Sequence, residues 1–192
     1  MKTETKCLHS GYEPKNGEPR QLPICQSTTF KYDSSDAMGR LFDLEDSGYF
    51  YTRLQNPTND AVAAKIADLE GGVAGMLTSS GQAANFFALF NICETGSHIV
   101  ASSSIYGGTY NLLGVTMKKM GIDCTFVDQN LSEEELAKAF KPNTRAVFGE
   151  TITNPTVSVL DIEKFARLAH SQGVPLIVDN TFATPINFRP IE

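Results

Sequence analysis

Leu77-Thr78-Ser79-Ser80-Gly81-Gln82-Ala83-Ala84 is the stretch on which the reading of this chain turns. An apolar run breaks into small hydroxyl residues and a glycine, and a helical pattern follows. The first N–H groups of such a helix have no intrahelical partners and point at one spot, with the positive end of the helix dipole behind them. A phosphate group suits that spot. The other reading is a buried helix start that a serine simply caps. Neither G-x-G-x-x-G nor G-x-x-x-x-G-K-[ST] occurs, so the dinucleotide and nucleoside-triphosphate fingerprints are absent.

Working outward, the pattern on both sides is regular. Upstream, Thr58 or Asn59 is expected to cap a helix with Val62, Ile66 and Leu69 on one face, ended by Gly71-Gly72. A strand over about 74–78 then leads into the turn. Downstream, a helix from Gly81 places Phe86, Phe90 and Cys93 in register. The periodicity next predicts strand 98–102, helix 107–119, strand 122–127, helix 132–140, strand 145–149, helix 161–172 and strand 174–179. Ser132-Glu133-Glu134-Glu135 is a capping box at the head of helix 132–140. Short, apolar, β-branched strands thus alternate five times with helices. The fold class expected is α/β, with a mostly parallel sheet flanked by helices on both faces. Ligands of such sheets bind at the carboxyl ends of the strands.

Residues 1–58 differ. Gly11, Pro14, Gly17, Pro19, Pro23, Gly39, Gly48 and Pro57 interrupt them, four aromatics fall between 42 and 51, and no period persists. They are too aromatic for a disordered tail. We read them as an extended N-terminal arm that packs against something, such as another subunit. Residues 59–192 then form the main domain.

The chain has 192 residues, 41% hydrophobic and 20% charged, as in soluble globular proteins. A net charge of −6 disfavours non-specific binding to nucleic acid or an anionic membrane. The first thirty residues hold no apolar signal core, and no apolar run is long enough to span a bilayer. The expectation is a cytoplasmic protein with reduced thiols: Cys7, Cys25, Cys93 and Cys124 are scattered. His9, His98 and His170 lie far apart, and no metal site is expected.

Four further segments carry chemistry. Asp179 closes the apolar run Val174-Pro175-Leu176-Ile177-Val178, where a carboxylate needs a cation or donors. A protonated heteroaromatic nitrogen would be such a partner; capping the next turn is the alternative. Tyr106 follows a strand and precedes Gly107-Gly108, so its ring could stack on a flat ligand or merely fill the corner. Asn154 precedes Pro155 and is pushed toward extended geometry, which leaves its amide for a ligand or for an ordinary turn. Arg53, in Tyr51-Thr52-Arg53-Leu54-Gln55-Asn56-Pro57-Thr58, could bring a guanidinium to phosphate or lie free on the surface.

In order and spacing, Tyr51-x-Arg53-x-x-Asn56-Pro57-Thr58, Ser79 to Ala84, Tyr106-Gly107-Gly108-Thr109, Glu150-x-x-x-Asn154-Pro155-Thr156 and Val178-Asp179-Asn180-Thr181 resemble the Cys/Met-metabolism family of pyridoxal-5'-phosphate (PLP) enzymes. Within it, Pro23 to Phe30 and Leu41-Phe42-Asp43-Leu44 are similar to the O-acetylhomoserine sulfhydrylase branch. The resemblance implies a fold-type-I transferase-like large domain, usually in a homo-oligomer built as a dimer of dimers. It implies that Gly81 and Gln82 offer amides to the PLP phosphate and that Tyr106 stacks on the ring. Asp179 would pair with the ring nitrogen with Thr181 nearby, making Tyr106 and Asp179 the expected catalytic pair. Asn154 would face the ring oxygen or the substrate carboxylate. Tyr51 and Arg53 would reach the phosphate site of a neighbouring subunit.

The activity implied is γ-replacement on O-acetylhomoserine, an amino-acid ester, by sulfide or a thiol, giving homocysteine and acetate. Methionine γ-lyase and the cystathionine enzymes share the main motifs, so elimination stays open, as do the acyl group and the sulfur donor. The family holds PLP on the lysine of a Ser-x-Thr-Lys segment beyond the Val-Asp-Asn-Thr strand. None of the ten lysines here lies in that context. The expectation is that these 192 residues alone turn over little, or serve as a non-catalytic chain beside a full-length relative.

Overall fold

Residues 1–58, read from sequence as an arm without periodic elements, hold two short helices, α1 (Thr3–His9) and α2 (Ser35–Phe42). Neither is long enough for its period to stand out among the glycines and prolines. Ser34 caps α2, its hydroxyl accepting from Ala37 N at 3.1 Å. The computed structural model describes all of residues Met1–Glu192, which up to Pro190 divide into two units, Met1–Leu77 and Thr78–Pro190. Helix α3 (Pro57–Glu70) therefore lies in the same unit as the arm.

Helix α3 starts earlier than expected. Its cap is Asn56, not Thr58 or Asn59, with Oδ1 accepting from Thr58 N at 2.9 Å and Pro57 at the first helical position. Gly71, at φ +78°, closes it. The buried face is also rotated from the expected one. Leu69 is buried, but Val62 and Ile66 are exposed, and Ala63 and Ala67 are covered instead. The small side chains let other backbone come close. A Cβ on Gly75 would stand 2.6 Å from Ala63 O, and one on Gly11 would overlap Ala61 O. Helix α1 docks on α3 through Lys6 Nζ, 2.8 Å from Asp68 Oδ1. The strand expected over 74–78 does not form. The segment joins no ladder, Val73 and Met76 are exposed, and a short apolar run with Gly75 in it and no neighbouring strand stays a connector.

In the second unit the alternation gives four parallel strands rather than five. Helix α4 (Gly81–Phe90) is followed by β1 (His98–Ser102) and α5 (Gly107–Asn111). A π turn (Leu112–Thr116) and α6 (Met117–Lys119) continue α5 across the expected 107–119 span. Next come β2 (Asp123–Val127), α7 (Glu133–Ala137), β3 (Thr144–Glu150), α8 (Ile162–Ser171), β4 (Leu176–Asp179) and α9 (Thr184–Asn187). The order across the sheet is β2-β1-β3-β4, all pairs parallel. The capping box of α7 forms, with Ser132 N donating to Glu135 Oε2 at 3.2 Å and Glu135 N to Ser132 Oγ at 3.3 Å. That helix stops at Ala137 rather than 140, because the bonds beyond it tighten to three-residue turns, Lys138 N donating to Glu135 O, Ala139 N to Leu136 O and Phe140 N to Ala137 O at 3.1–3.2 Å.

Alternation along the strands feeds two cores. Ile99, Ala101, Ala146 and Phe148 pack with Leu89, Leu113 and Met117 on one face. Val100 and Val147 pack with Leu136, Phe165 and Leu168 on the other. In α4 the face turned inward is Asn85, Leu89 and then Cys93. Phe90, expected in register with Cys93, is exposed and stacks on Phe86 with centroids 5.0 Å apart.

Candidate active site

The carboxyl ends of β1, β3 and β4 and the first turn of α4 converge on one cavity of about 370 Å³. Ser80 caps α4 from an extended conformation, its hydroxyl accepting from Ala83 N at 3.1 Å. The neighbouring amides of Gly81 and Gln82 belong to the unpaired first turn. A side chain at Gly81 would meet nothing, so the space above this turn is open.

The loop after β1 brings in Tyr106, at the head of α5 and 47% exposed. Its ring lies over Gly108, where a Cβ would come within 2.5 Å of Tyr106 Cε1. Glu150 ends β3, Asn154 follows it, and the Asn154-Pro155 bond is cis. Asp179 ends β4. Its Oδ1 accepts from Thr181 N at 3.0 Å and from the Thr181 hydroxyl, and its Oδ2 from Asn85 Nδ2 at 3.0 Å. A carboxylate has about four acceptor positions, so capacity for one more donor remains.

Six of the eight residues singled out from sequence line this cavity: Gly81, Gln82, Tyr106, Asn154, Asp179 and Thr181. Tyr51 and Arg53 do not; they lie in the first unit, with the Arg53 guanidinium 5.2 Å from the centroid of the Tyr51 ring. Five lining residues were not among those eight: the helix cap Ser80, and Asn85, Glu150, Ile152 and Phe182. Asn85 could have been found as a polar residue four positions after Gly81 in an otherwise apolar helix. Glu150 closes an apolar strand as Asp179 does, and the same argument applied to it.

Glu150 is 4% exposed. Its Oε1 accepts from Tyr106 N at 2.7 Å and its Oε2 from Asn154 N at 3.4 Å, so one carboxylate ties together two loops of the site. Burial pushes its pKa up, the two backbone donors pull against that, and the charge of Asp179 adds to the rise. Behind the rim, Thr109 Oγ1 accepts from Gln82 Nε2 at 2.9 Å.

An anion seat, a flat aromatic face and a carboxylate with an acceptor position to spare therefore share one cavity. That donor set fits a phosphorylated heteroaromatic cofactor whose ring nitrogen carries a proton. Over residues 4–192 the sequence matches the Cys/Met metabolism PLP-dependent enzymes. The chain belongs to that family. PLP is therefore the cofactor that the donor set suits.

Among relatives of this family, an O-acetyl-L-homoserine sulfhydrylase of Leptospira meyeri is 46% identical over 193 residues, covering 100% of this chain and 43% of its own. One from Corynebacterium glutamicum is 46% identical over 190 residues, 98% of this chain and 44% of its own. A solved Campylobacter jejuni structure, described as an O-acetylhomoserine (thiol)-lyase with a pyridoxyl-lysine monophosphate, superposes with a TM-score of 0.93 at 36% identity. It covers 100% of this chain and 47% of that one. Cystathionine γ-lyase from Lactobacillus plantarum, complexed with L-serine, gives 0.87 at 35% identity over 100% of this chain and 48% of its own. The chain thus spans less than half the length of these relatives. No helix is long and apolar enough to cross a membrane.

Proposed function

We propose that this chain supplies the cofactor-binding part of an O-acetylhomoserine sulfhydrylase, which replaces the acetate of O-acetylhomoserine with sulfide to give homocysteine. The observation that carries this reading is the 46% identity to two such sulfhydrylases along the whole chain. When bound, PLP supplies a sink for the electrons of a carbanion formed on the amino-acid substrate. The residues here bind and orient. The Gly81 and Gln82 amides hold the phosphate at the positive end of α4. Tyr106 stacks on the ring, and Gly108 keeps the space its own ring needs. Asp179, oriented by Thr181, holds the proton on the ring nitrogen. Asn154 faces the ring oxygen or the substrate carboxylate. Tyr51 and Arg53 are assigned to the phosphate of a neighbouring subunit, which makes the arm an oligomer contact.

A second reading is elimination from a γ-substituted amino acid, and the superposition on the Lactobacillus plantarum cystathionine γ-lyase favours it. The two separate by product. Protein expressed from its whole reading frame should turn O-acetylhomoserine and sulfide into homocysteine and acetate. Methanethiol and 2-oxobutyrate from methionine would carry the second reading, and neither set of products would overturn both. Asp179→Ala should abolish turnover while the phosphate contacts retain some PLP.

A further inference from the structure

Asn85 is 8% exposed and sits on the inward face of α4, one turn beyond the Gly81-Gln82 amides. Its amide nitrogen lies 3.0 Å from Asp179 Oδ2 and 3.4 Å from Thr109 Oγ1. The Asp179 carboxylate can only accept, so the amide must turn its NH₂ toward it. The Asp179 oxygens then have separate keepers: Thr181 on Oδ1 and Asn85 on Oδ2. Thr181 belongs to the exposed loop after β4, whereas Asn85 belongs to a helix packed on the sheet. Thr109 Oγ1, fully buried, also takes the Gln82 side chain at 2.9 Å. A chain of hydrogen bonds therefore runs Gln82–Thr109–Asn85–Asp179, from the anion seat to the carboxylate.

We propose that Asn85 is a positioning residue that fixes the Asp179 carboxylate against the ring nitrogen of the cofactor, tying it to the helix that holds the phosphate. This rests on the assignment of Asp179 to that nitrogen. An apolar residue of similar size at 85 would leave Oδ2 without its rigid donor and the carboxylate free to rotate. Hydrogen bonds to charged groups are strong enough that the loss should weaken cofactor binding roughly tenfold or more.

The test compares PLP with an analogue carrying carbon in place of the ring nitrogen, titrated spectroscopically into the protein expressed from its whole reading frame. Wild type should prefer PLP. Asn85→Leu should lose about tenfold in PLP affinity and leave the analogue within about twofold. Asn85→Ala removes the donor with no new bulk or charge, and it should show the same selective loss should the leucine variant fold poorly. In an Asp179→Ala background, Asn85→Leu should cost PLP nothing further. Equal weakening of both ligands would mean that Asn85 only supports the helix, and unchanged PLP affinity would mean that it does not act on Asp179; either overturns the inference. A wild-type protein that binds PLP but does not prefer it over the analogue would instead overturn the assignment of Asp179, and the inference with it.

Discussion

Glu150 and Asp179 are register partners at the carboxyl ends of β3 and β4, so two carboxylates leave the sheet side by side. The protein treats them differently. Asp179 gathers three donors and lines the cavity half-buried, whereas Glu150 is almost wholly buried on two backbone amides. One is placed to meet a ligand and the other to hold Tyr106 and Asn154 in place.

The buried member should leave a signature in the pH dependence of stability. The folded pKa of Glu150 lies above its ordinary value of 4.5, so between the two values the folded state binds more proton than the unfolded state. Its contribution is a stability that falls as pH rises from 4.5 through the folded pKa and is level beyond it. Glu150→Gln keeps an acceptor for Tyr106 N and removes the titration. Urea unfolding of the cofactor-free protein from about pH 4 to pH 7 should show the variant gaining on wild type as pH rises. Parallel curves would contradict this account of Glu150.

Gly107 and Gly108 make a matched pair. A Cβ on Gly108 would press the Tyr106 ring at 2.5 Å, while one on Gly107 meets nothing. The ring is half-exposed and can swing aside, so Gly108→Ala should change stability by under ~1 kcal/mol while displacing the stacking face. PLP affinity should fall in Gly108→Ala and hold in Gly107→Ala. Equal affinities in the two variants would remove Tyr106 from the ring site.

How much of this was legible in the sequence depended on the kind of signal. The strands at 98–102, 122–127 and 145–149 lie within about a residue of where periodicity puts them, because each is apolar, β-branched and bounded by turns. The run at 74–78, Ala-Gly-Met-Leu-Thr, is apolar but holds a glycine and one β-branched residue, and it has no neighbouring strand to pair with. The rotated face of α3 has a similar cause. Bulk favours Val62 and Ile66, but the close approach of Gly75 to Ala63 needs a small residue on the inside. At the site, turn residues with unusual chemistry were visible. Asn85 was visible only as a polar residue in a mostly apolar helix, and its role was not, since that comes from a partner 94 residues away.

Gly149 in β3 tests the packing beneath the site. A Cβ there would stand 2.6 Å from Leu160 Cδ2, and Leu160 is 4% exposed, so its methyl groups have little room to retreat. Overpacking a tight core costs about 1–3 kcal/mol, and Gly149→Ala should lower the unfolding free energy by that much, read as a lower urea midpoint at an unchanged m-value. Because Glu150 is the next residue, PLP affinity should fall as well. An unaltered midpoint would show that the Leu160 contact is slack.

His98 opens β1 on the opposite rim of the sheet and is fully buried, with Nδ1 and Nε2 each 2.8 Å from a hydroxyl, Thr144 Oγ1 and Thr125 Oγ1. A neutral imidazole donates to one and accepts from the other; an imidazolium would donate to both and carry its charge in a fully buried site. Burial lowers its pKa from 6.5, with the Lys141 charge adding to the fall and Asp123 opposing it. A base depressed in the folded state contributes stability that is complete above 6.5 and is lost as pH falls through the folded pKa, opposite in sign to Glu150. Imidazole resonances followed by NMR should show His98 titrating below 6.5, and His98→Gln should flatten the acid limb of the stability curve. Thr125→Val removes one partner and should cost about 1–3 kcal/mol at neutral pH, since a buried ring nitrogen is left unpaired. If instead the valine variant matches wild type and His98 titrates at 6.5 or above, the imidazole is reached by water and the hydroxyl bridge carries no stability.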